Sequence, residues 1–571
     1  MTKVAIFGGG VGGLTVAHEL RERGFEVDVY EKNKICGGKA RSLEKGGTGT
    51  PPLPDLPGEH GFRFFPGFYQ HLDDTMKRIP LGPLNSISAA PIGPSTAPIG
   101  PSTAFDNLVD AGMFAIAQEG KALYKLTPDT PKTLPQWIVA LDSFFGNPEL
   151  GLAPGEKEIL LKRILRLFAM CRERREKEYE CVTWWDYHNV PIQRSAQYNK
   201  MFVTGFSRAF VAMDAQKAST MTGGNTLAQF FRVFFGKGTM DRVLNAPTND
   251  AWLSPWVAYL SHKGVNFHQE QKLTGLNVST GAVPATITSA TVENTQTNAA
   301  TTVTADYYVA AVPVEVMTPL AESNLALTTA APSLNGIKNL EVSWMTGIMF
   351  YLSKDVPIVK GHVNFADSKW ALTGISQPQF WPNDQLSNYG DGTLNGLLSI
   401  VISDWTTPGD KVHVKTAEQC TTPNEVADET WKQLVAHLPN SVTLPLGAED
   451  PVDFFLDPAI SFPQGGAAQN AEPLLTNTAC SLSDRPRTAT AIQNLMLAAD
   501  YVRTNVDIAT MEGANEAGRR AANAVIAASG SGHPPCGVWD YPEPQVFDIS
   551  HAIDKALLEA GGPSWGDILF P

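Results

Sequence analysis

The chain has no run of about 18 or more apolar residues, so no helix able to cross a bilayer is expected. It has no excess of basic charge. Its 44 Lys and Arg stand against 58 Asp and Glu, a formal net charge of −14, which argues against a nucleic-acid partner and against an anionic membrane held through a basic face. There is no Cys-x-x-Cys pair: Cys36, Cys171, Cys181, Cys420, Cys480 and Cys536 are scattered, as expected of reduced thiols rather than a disulfide framework or a zinc site, and no metal is expected. Nor is there a signal-peptide pattern, because Met1-Thr2-Lys3 runs directly into Val4-Ala5-Ile6-Phe7 and then glycines. A cytoplasmic location is therefore expected, with peripheral membrane contact left open.

What the chain does have is length and an ordinary globular balance. Its 571 residues exceed a single hydrophobic core and imply two or more domains, and 43% hydrophobic against 18% charged residues is the mix of a folded protein. Residues 3–43 read as strand, glycine turn, helix and strand: Leu14, Ala17 and Leu20 keep helical spacing up to Gly24, and Glu26–Glu31 alternates as a strand does. Pro-Ile-Gly-Pro-Ser-Thr-Ala occurs twice in tandem at 91–104 and reads as an exposed insertion. Helical patterns are expected over 156–180, 505–528 and 553–558. Strands are expected over 305–313, 341–353 and 396–403. The aromatic block Phe230–Phe235 reads as core or as the wall of a substrate cavity.

Gly8, Gly10 and Gly13 form G-x-G-x-x-G between the first strand and the first helix. Gly8 permits the tight turn, Gly10 lets the backbone approach a diphosphate, and Gly13 lets the helix sit close on the strand, with the helix N-terminus offering free N–H groups to the anion. Glu31 ends the second strand 18 residues past Gly13, where a carboxylate can accept hydrogen bonds from ribose hydroxyls. Together these predict dinucleotide binding.

The pattern continues past Glu31 with Gly37-Gly38-Lys39-Ala40-Arg41-Ser42. Far downstream come Asn494–Arg503, with Asp500 at a strand end, and Met511-Glu512-Gly513-Ala514. With Glu59-His60-Gly61-Phe62-Arg63-Phe64-Phe65 and Ala305–Val314, these stretches resemble the FAD-binding signatures of the flavin amine oxidase and phytoene desaturase superfamily. In wording they are most similar to plant-type and cyanobacterial carotenoid desaturases. One departure is Ala499, where that family usually has Gly before the acid.

The resemblance implies an α/β fold: a Rossmann-like, glutathione-reductase-type FAD domain from residues 1–80, 240–322 and 480–530, interleaved with an α+β substrate domain from 105–239 and 323–479. A Pro/Gly-rich loop at 85–104 and a tail at 531–571 complete it. It implies FAD as cofactor, held by Gly8, Gly10, Gly12, Gly13, Glu31, Lys32, Gly38, Arg41, Gly61, Phe62, Arg63, Asp500, Met511, Glu512 and Ala514, with Arg41 facing the diphosphate.

His60 and Arg63 are the groups it places nearest the flavin, for proton handling and for hydrogen bonding to the ring or the substrate. The implied activity is hydride removal from a C–H bond of an apolar, isoprenoid-like substrate, with oxygen or a quinone as electron acceptor. An amine or amino-acid oxidase, an FAD-dependent isomerase and a flavin-free prenyl-binding chaperone remain as alternatives. Amine oxidases of the superfamily usually carry a flavin-facing lysine on a strand where this chain has Thr346 and Gly347, which weighs against amine oxidation.

Overall fold

The computed structural model describes the chain except residues 85–101, 127–132, 134, 137, 140–141, 143–150, 206, 209–211, 235–240, 280, 282, 383–384, 440–450 and 541–542, and the side chains of 126 and 231–234. Most of the tandem repeat, and the aromatic block beyond Phe230, thus lie outside the described residues.

Two larger sheets organise the described residues. The first is wholly parallel and uses both ends of the chain. Its strands are β1 (Lys3–Phe7), β2 (Glu26–Glu31), β3 (Asn266–Gln269), β4 (Tyr307–Ala310) and β5 (Leu495–Leu497), in the spatial order β5-β4-β1-β2-β3. Helix α1 (Val11–Glu22) follows β1, and α2 (Met511–Ser529) follows β5.

Helix α1 and strand β2 form where hydrophobic spacing places them. Helix α2 starts six residues later than the expected 505, because Thr510 supplies the N-cap: its hydroxyl accepts the Gly513 N–H and its φ of −142° is extended. The pattern at 156–180 is broken after Ala169, where Met170 turns extended with ψ 139°, and short helical turns continue over 172–179.

The second sheet has seven strands in the order 453–456, 346–352, 396–402, 372–376, 361–365, 113–117 and 124–126. Its pairs are antiparallel except 361–365 with 113–117. Alternation divides its faces. Ile348, Phe350, Val363, Phe365, Leu398 and Ile400 pack into one core under Trp431. The opposite face, with Met349, Ile375 and Leu397, turns toward the segment that carries Phe62.

The cysteine expectation needs correction. Cys181 and Cys480 form a disulfide, while Cys36, Cys171, Cys420 and Cys536 are free and buried. The pair is 299 positions apart in sequence, so only the fold brings the two sulfurs together and no spacing rule could reveal it. Among the described residues, Glu180, Cys181 and Cys480 are the one His/Cys/Asp/Glu cluster close enough to hold an ion, and its two sulfurs are spent on each other. No described helix is long and apolar enough to cross a membrane. Thiol titration of the denatured, unreduced protein should find four thiols, and six after reduction; six without reductant would contradict the bridge.

Candidate active site

The C-terminal ends of β1, β4 and β5 open onto a cavity of about 910 Å³, at the upper end of the range of roughly 300–1,000 Å³ for small-molecule sites. Segments from both ends of the chain wall it. From the first half come Gly8, Gly10, Val11, Gly12, Glu31, Lys32, Gly38 and the run His60–Arg63; from the far end come Ala498, Ala499, Asp500, Thr510, Met511 and Ala514.

Glycine makes this convergence sterically possible. A β-carbon on Gly13 would lie 1.9 Å from the Gly8 carbonyl oxygen, and one on Gly12 would lie 2.2 Å from the Ala498 carbonyl oxygen at the end of β5. On α2, a β-carbon on Gly518 would meet the Gly12 carbonyl oxygen at 2.6 Å. The two helices therefore pack backbone to backbone, and the Asn515 side-chain amide donates to the Thr15 hydroxyl at 2.9 Å across the seam. The consequence is electrostatic: α1 and α2 both begin at the cavity and aim unpaired N–H groups and positive dipole ends into it.

Gly10 differs from its neighbours. Its backbone is extended (φ −74°, ψ −179°), a conformation open to any residue, and a β-carbon there would meet the Gly38 backbone at ordinary contact distance, 3.6 Å from Cα and 3.9 Å from N. A side chain at Gly10 would fill the cavity and not the protein. Glu31 lies at the cavity wall, where one carboxylate oxygen accepts the Gly9 N–H at 2.7 Å and the other the Asn33 N–H at 2.9 Å. Asp500 presents a buried Oδ1 with no protein partner. Two positive helix ends, a ribose-side carboxylate and an orphaned acid in a cleft of this size fit FAD.

Three sequence-predicted residues do other work. Arg41 does not line the cavity: its guanidinium forms a two-pronged pair with Glu472, at 3.0 and 3.1 Å, and donates to the Gly38 carbonyl, so its charge is spent inside the protein. Burial works against ionisation of Glu472, yet Arg41 and Lys32 hold it below the usual carboxylate range. Glu512 is also turned away. It accepts the backbone N–H groups of Gln70, His71 and Leu72 and faces His71 Nδ1, fixing the start of the helix His71–Met76.

Arg63 reaches the cavity wall, but its guanidinium donates to the Lys39 and Ala40 carbonyls at 2.9 and 3.1 Å, which braces the turn after Gly38. His60 lines the cavity with Nδ1 against the buried Asp457 carboxylate. Sequence reasoning missed Asp457, Glu472 and Glu315. Glu315, which lines the cavity and pairs with Lys39 at 2.8 Å, could have been found as the acid just past the recognised strand at 305–314. Asp457 and Glu472 carry no local signal, since their partners lie about 400 positions away.

A flavin-amine-oxidoreductase model ("Flavin containing amine oxidoreductase") matches residues 11–526. The chain belongs to this family. Its FAD-binding fold and its flavin cofactor follow, and it is an FAD-dependent oxidoreductase. The chain is 45% identical over 47 residues to the 1-hydroxycarotenoid 3,4-desaturase of Flavobacterium sp. (strain P99-3), covering 8% of this chain and 10% of that protein. It is 35% identical over 81 residues to a flavin-dependent L-tryptophan oxidase of Lentzea aerocolonigenes, covering 14% and 16%. These curated relatives are thus matched over only a small part of their length.

Among solved structures, putrescine oxidase bound to putrescine is similar with a TM-score of 0.57 at 13% identity, over 92% of this chain and 99% of that one. That likeness concerns the fold alone.

Two outcomes follow for this site. Gly10→Val should purify folded but without FAD, whereas Gly13→Val should lose the fold itself; normal flavin content in Gly10→Val would remove the cradle assignment. The second concerns Glu59, which accepts the Thr248 N–H and faces its hydroxyl, and whose carboxyl burial pushes up from 4.5 to about 7 despite nearby Arg63. A raised carboxyl pKa favours the folded state below about pH 4.5, and this contribution is lost as pH rises through 7, a difference on the order of 3 kcal/mol. Glu59→Gln should therefore stabilise the protein at pH 8 and change little at pH 5, as read by thermal unfolding; a lower Tm at pH 8 would contradict this.

Proposed function

We propose that the chain is an FAD-dependent dehydrogenase that removes hydride from a C–H bond of a substrate with a large apolar body, forming a double bond, with oxygen or a quinone as electron acceptor. The observation that carries this reading is an apolar stretch of the cavity wall. Phe62, Met345 and Val401 form it, and the strand Thr346–Leu352 offers no amine-directed lysine. Gly347 could not hold a side chain there, because a β-carbon would lie 2.7 Å from both Gly61 Cα and the His60 carbonyl oxygen.

Bound FAD would supply the hydride acceptor. The protein's part is to orient and to exclude water. The glycine turn and the two helix N-termini hold the diphosphate end, Glu31 and Asp500 take hydroxyl groups, and the apolar wall presses the reacting carbon into place and keeps the site dry. His60, held by Asp457, is the group positioned to take up a proton that leaves with the hydride.

The same His60–Asp457 pair favours a second reading, oxidation of an amine or amino acid, in which His60 would deprotonate the nitrogen first. Relatives of both kinds share short matched stretches with the chain. Anaerobic mixing separates the readings. An acyclic carotenoid or squalene should bleach the visible flavin absorption, while putrescine and tryptophan should leave it unchanged; bleaching by the amines alone would replace the first reading with the second.

A further inference from the structure

The flanks of the cofactor cavity press on the glycine turn from both sides. On the β2 side, the Gly37 N–H donates to the Gly9 carbonyl at 2.8 Å, and a β-carbon on Gly38 would lie 3.0 Å from Gly10 Cα. On the β4 side, a β-carbon on Gly8 would lie 2.3 Å from the Ala311 carbonyl oxygen. Because β2 and β4 flank β1 on opposite sides, the residues that follow these contacts stand on opposite flanks of the turn. Lys39 comes next on one flank and Glu315 soon after on the other. Both line the cavity, and their charged groups meet at 2.8 Å.

Each partner is oriented by the chain around it. Glu315 lies in the first turn of the helix Val314–Glu322, where the positive helix end favours a carboxylate. The Lys39 ammonium also donates to the carbonyl of Pro473, another residue of the cavity wall, so one cation joins three segments. Glu472, beside Pro473, is gripped by Arg41, with side chains 8% and 10% exposed; parting that pair would strand a buried charge. Lys39 and Glu315 are 20–23% exposed, so theirs is a link across the cavity that water can reach and that can part and re-form.

We propose that the Lys39–Glu315 ion pair is a clasp across the cofactor cavity, which opens to let FAD in or out and sets how fast it exchanges. The inference concerns the cofactor and holds whichever substrate the flavin meets. Because the clasp joins two protein groups, weakening it speeds entry and exit alike and does not weaken affinity. A residue that only contacts FAD would instead change affinity in step with the release rate.

The test is dilution of the FAD-loaded enzyme. The rate at which free-flavin fluorescence grows gives release, and its final level over a dilution series gives affinity. Glu315→Gln, which keeps the shape and removes the charge, should release FAD about tenfold faster, with a dissociation constant no higher than that of the wild type. Lys39→Met should also speed release, and the double variant should be no faster than the faster single, because each change opens the same pair. Three results would overturn the proposal: wild-type release in Glu315→Gln, release quickened only in proportion to weakened affinity, or additive acceleration in the double variant. Should Glu315→Gln not fold, Glu315→Asp, which keeps the charge but falls a methylene short of Lys39, is judged by the same two readings.

Discussion

The structure depends on a backbone-to-backbone contact between two helices that start at one place. Gly12 and Gly518 let α1 and α2 approach until carbonyl oxygens of one element occupy the space where a side chain of the other would stand. Because β1 and β5 flank β4 in one parallel sheet, both helices leave the same sheet edge and their N-termini face one cleft. Each end brings unpaired N–H groups and a partial positive charge. Neither half of the chain can make this field alone, so the cofactor site exists only when residues some 500 positions apart have found each other.

The reaction half of the molecule is subordinate to that frame. The run His60–Arg63 threads between the cofactor cavity and the seven-stranded sheet, and its position is fixed from both sides. Arg63 grips the Lys39 and Ala40 carbonyls, and Gly61 rests on Gly347 and Val401. Of the two residues that sequence reasoning regarded as chemical, Arg63 places the segment, while His60 lines the cavity with Nδ1 against the Asp457 carboxylate. The alternating register of the sheet buries both of its faces, one under Trp431 and the other against the segment that carries Phe62, and of its described strand residues Val401 reaches the cavity wall.

Much of the cofactor half was legible because its rules are local. The turn at Gly8–Gly13, the carboxylate ending β2 and the acid at Asp500 are each specified by neighbours within a few residues, and the structure gathers all of them at one cavity. What was not legible is long-range. Arg41 looks like a diphosphate ligand until Glu472 arrives from 431 positions away to take its charge, and Glu512 looks like part of a flavin motif until the backbone of Gln70–Leu72 closes on it. The Cys181–Cys480 bridge is hidden for the same reason. The start of α2 was displaced by a purely local effect, the capping preference of Thr510, which hydrophobic periodicity does not register.

Amide hydrogen exchange on the protein with and without FAD tests the convergence most directly. Protection should appear on FAD binding in Gly8–Gly13 and in Asp500–Ala514 together, at the same cofactor concentration. Protection confined to one of these segments would show that they do not clasp a single molecule, and would contradict the account.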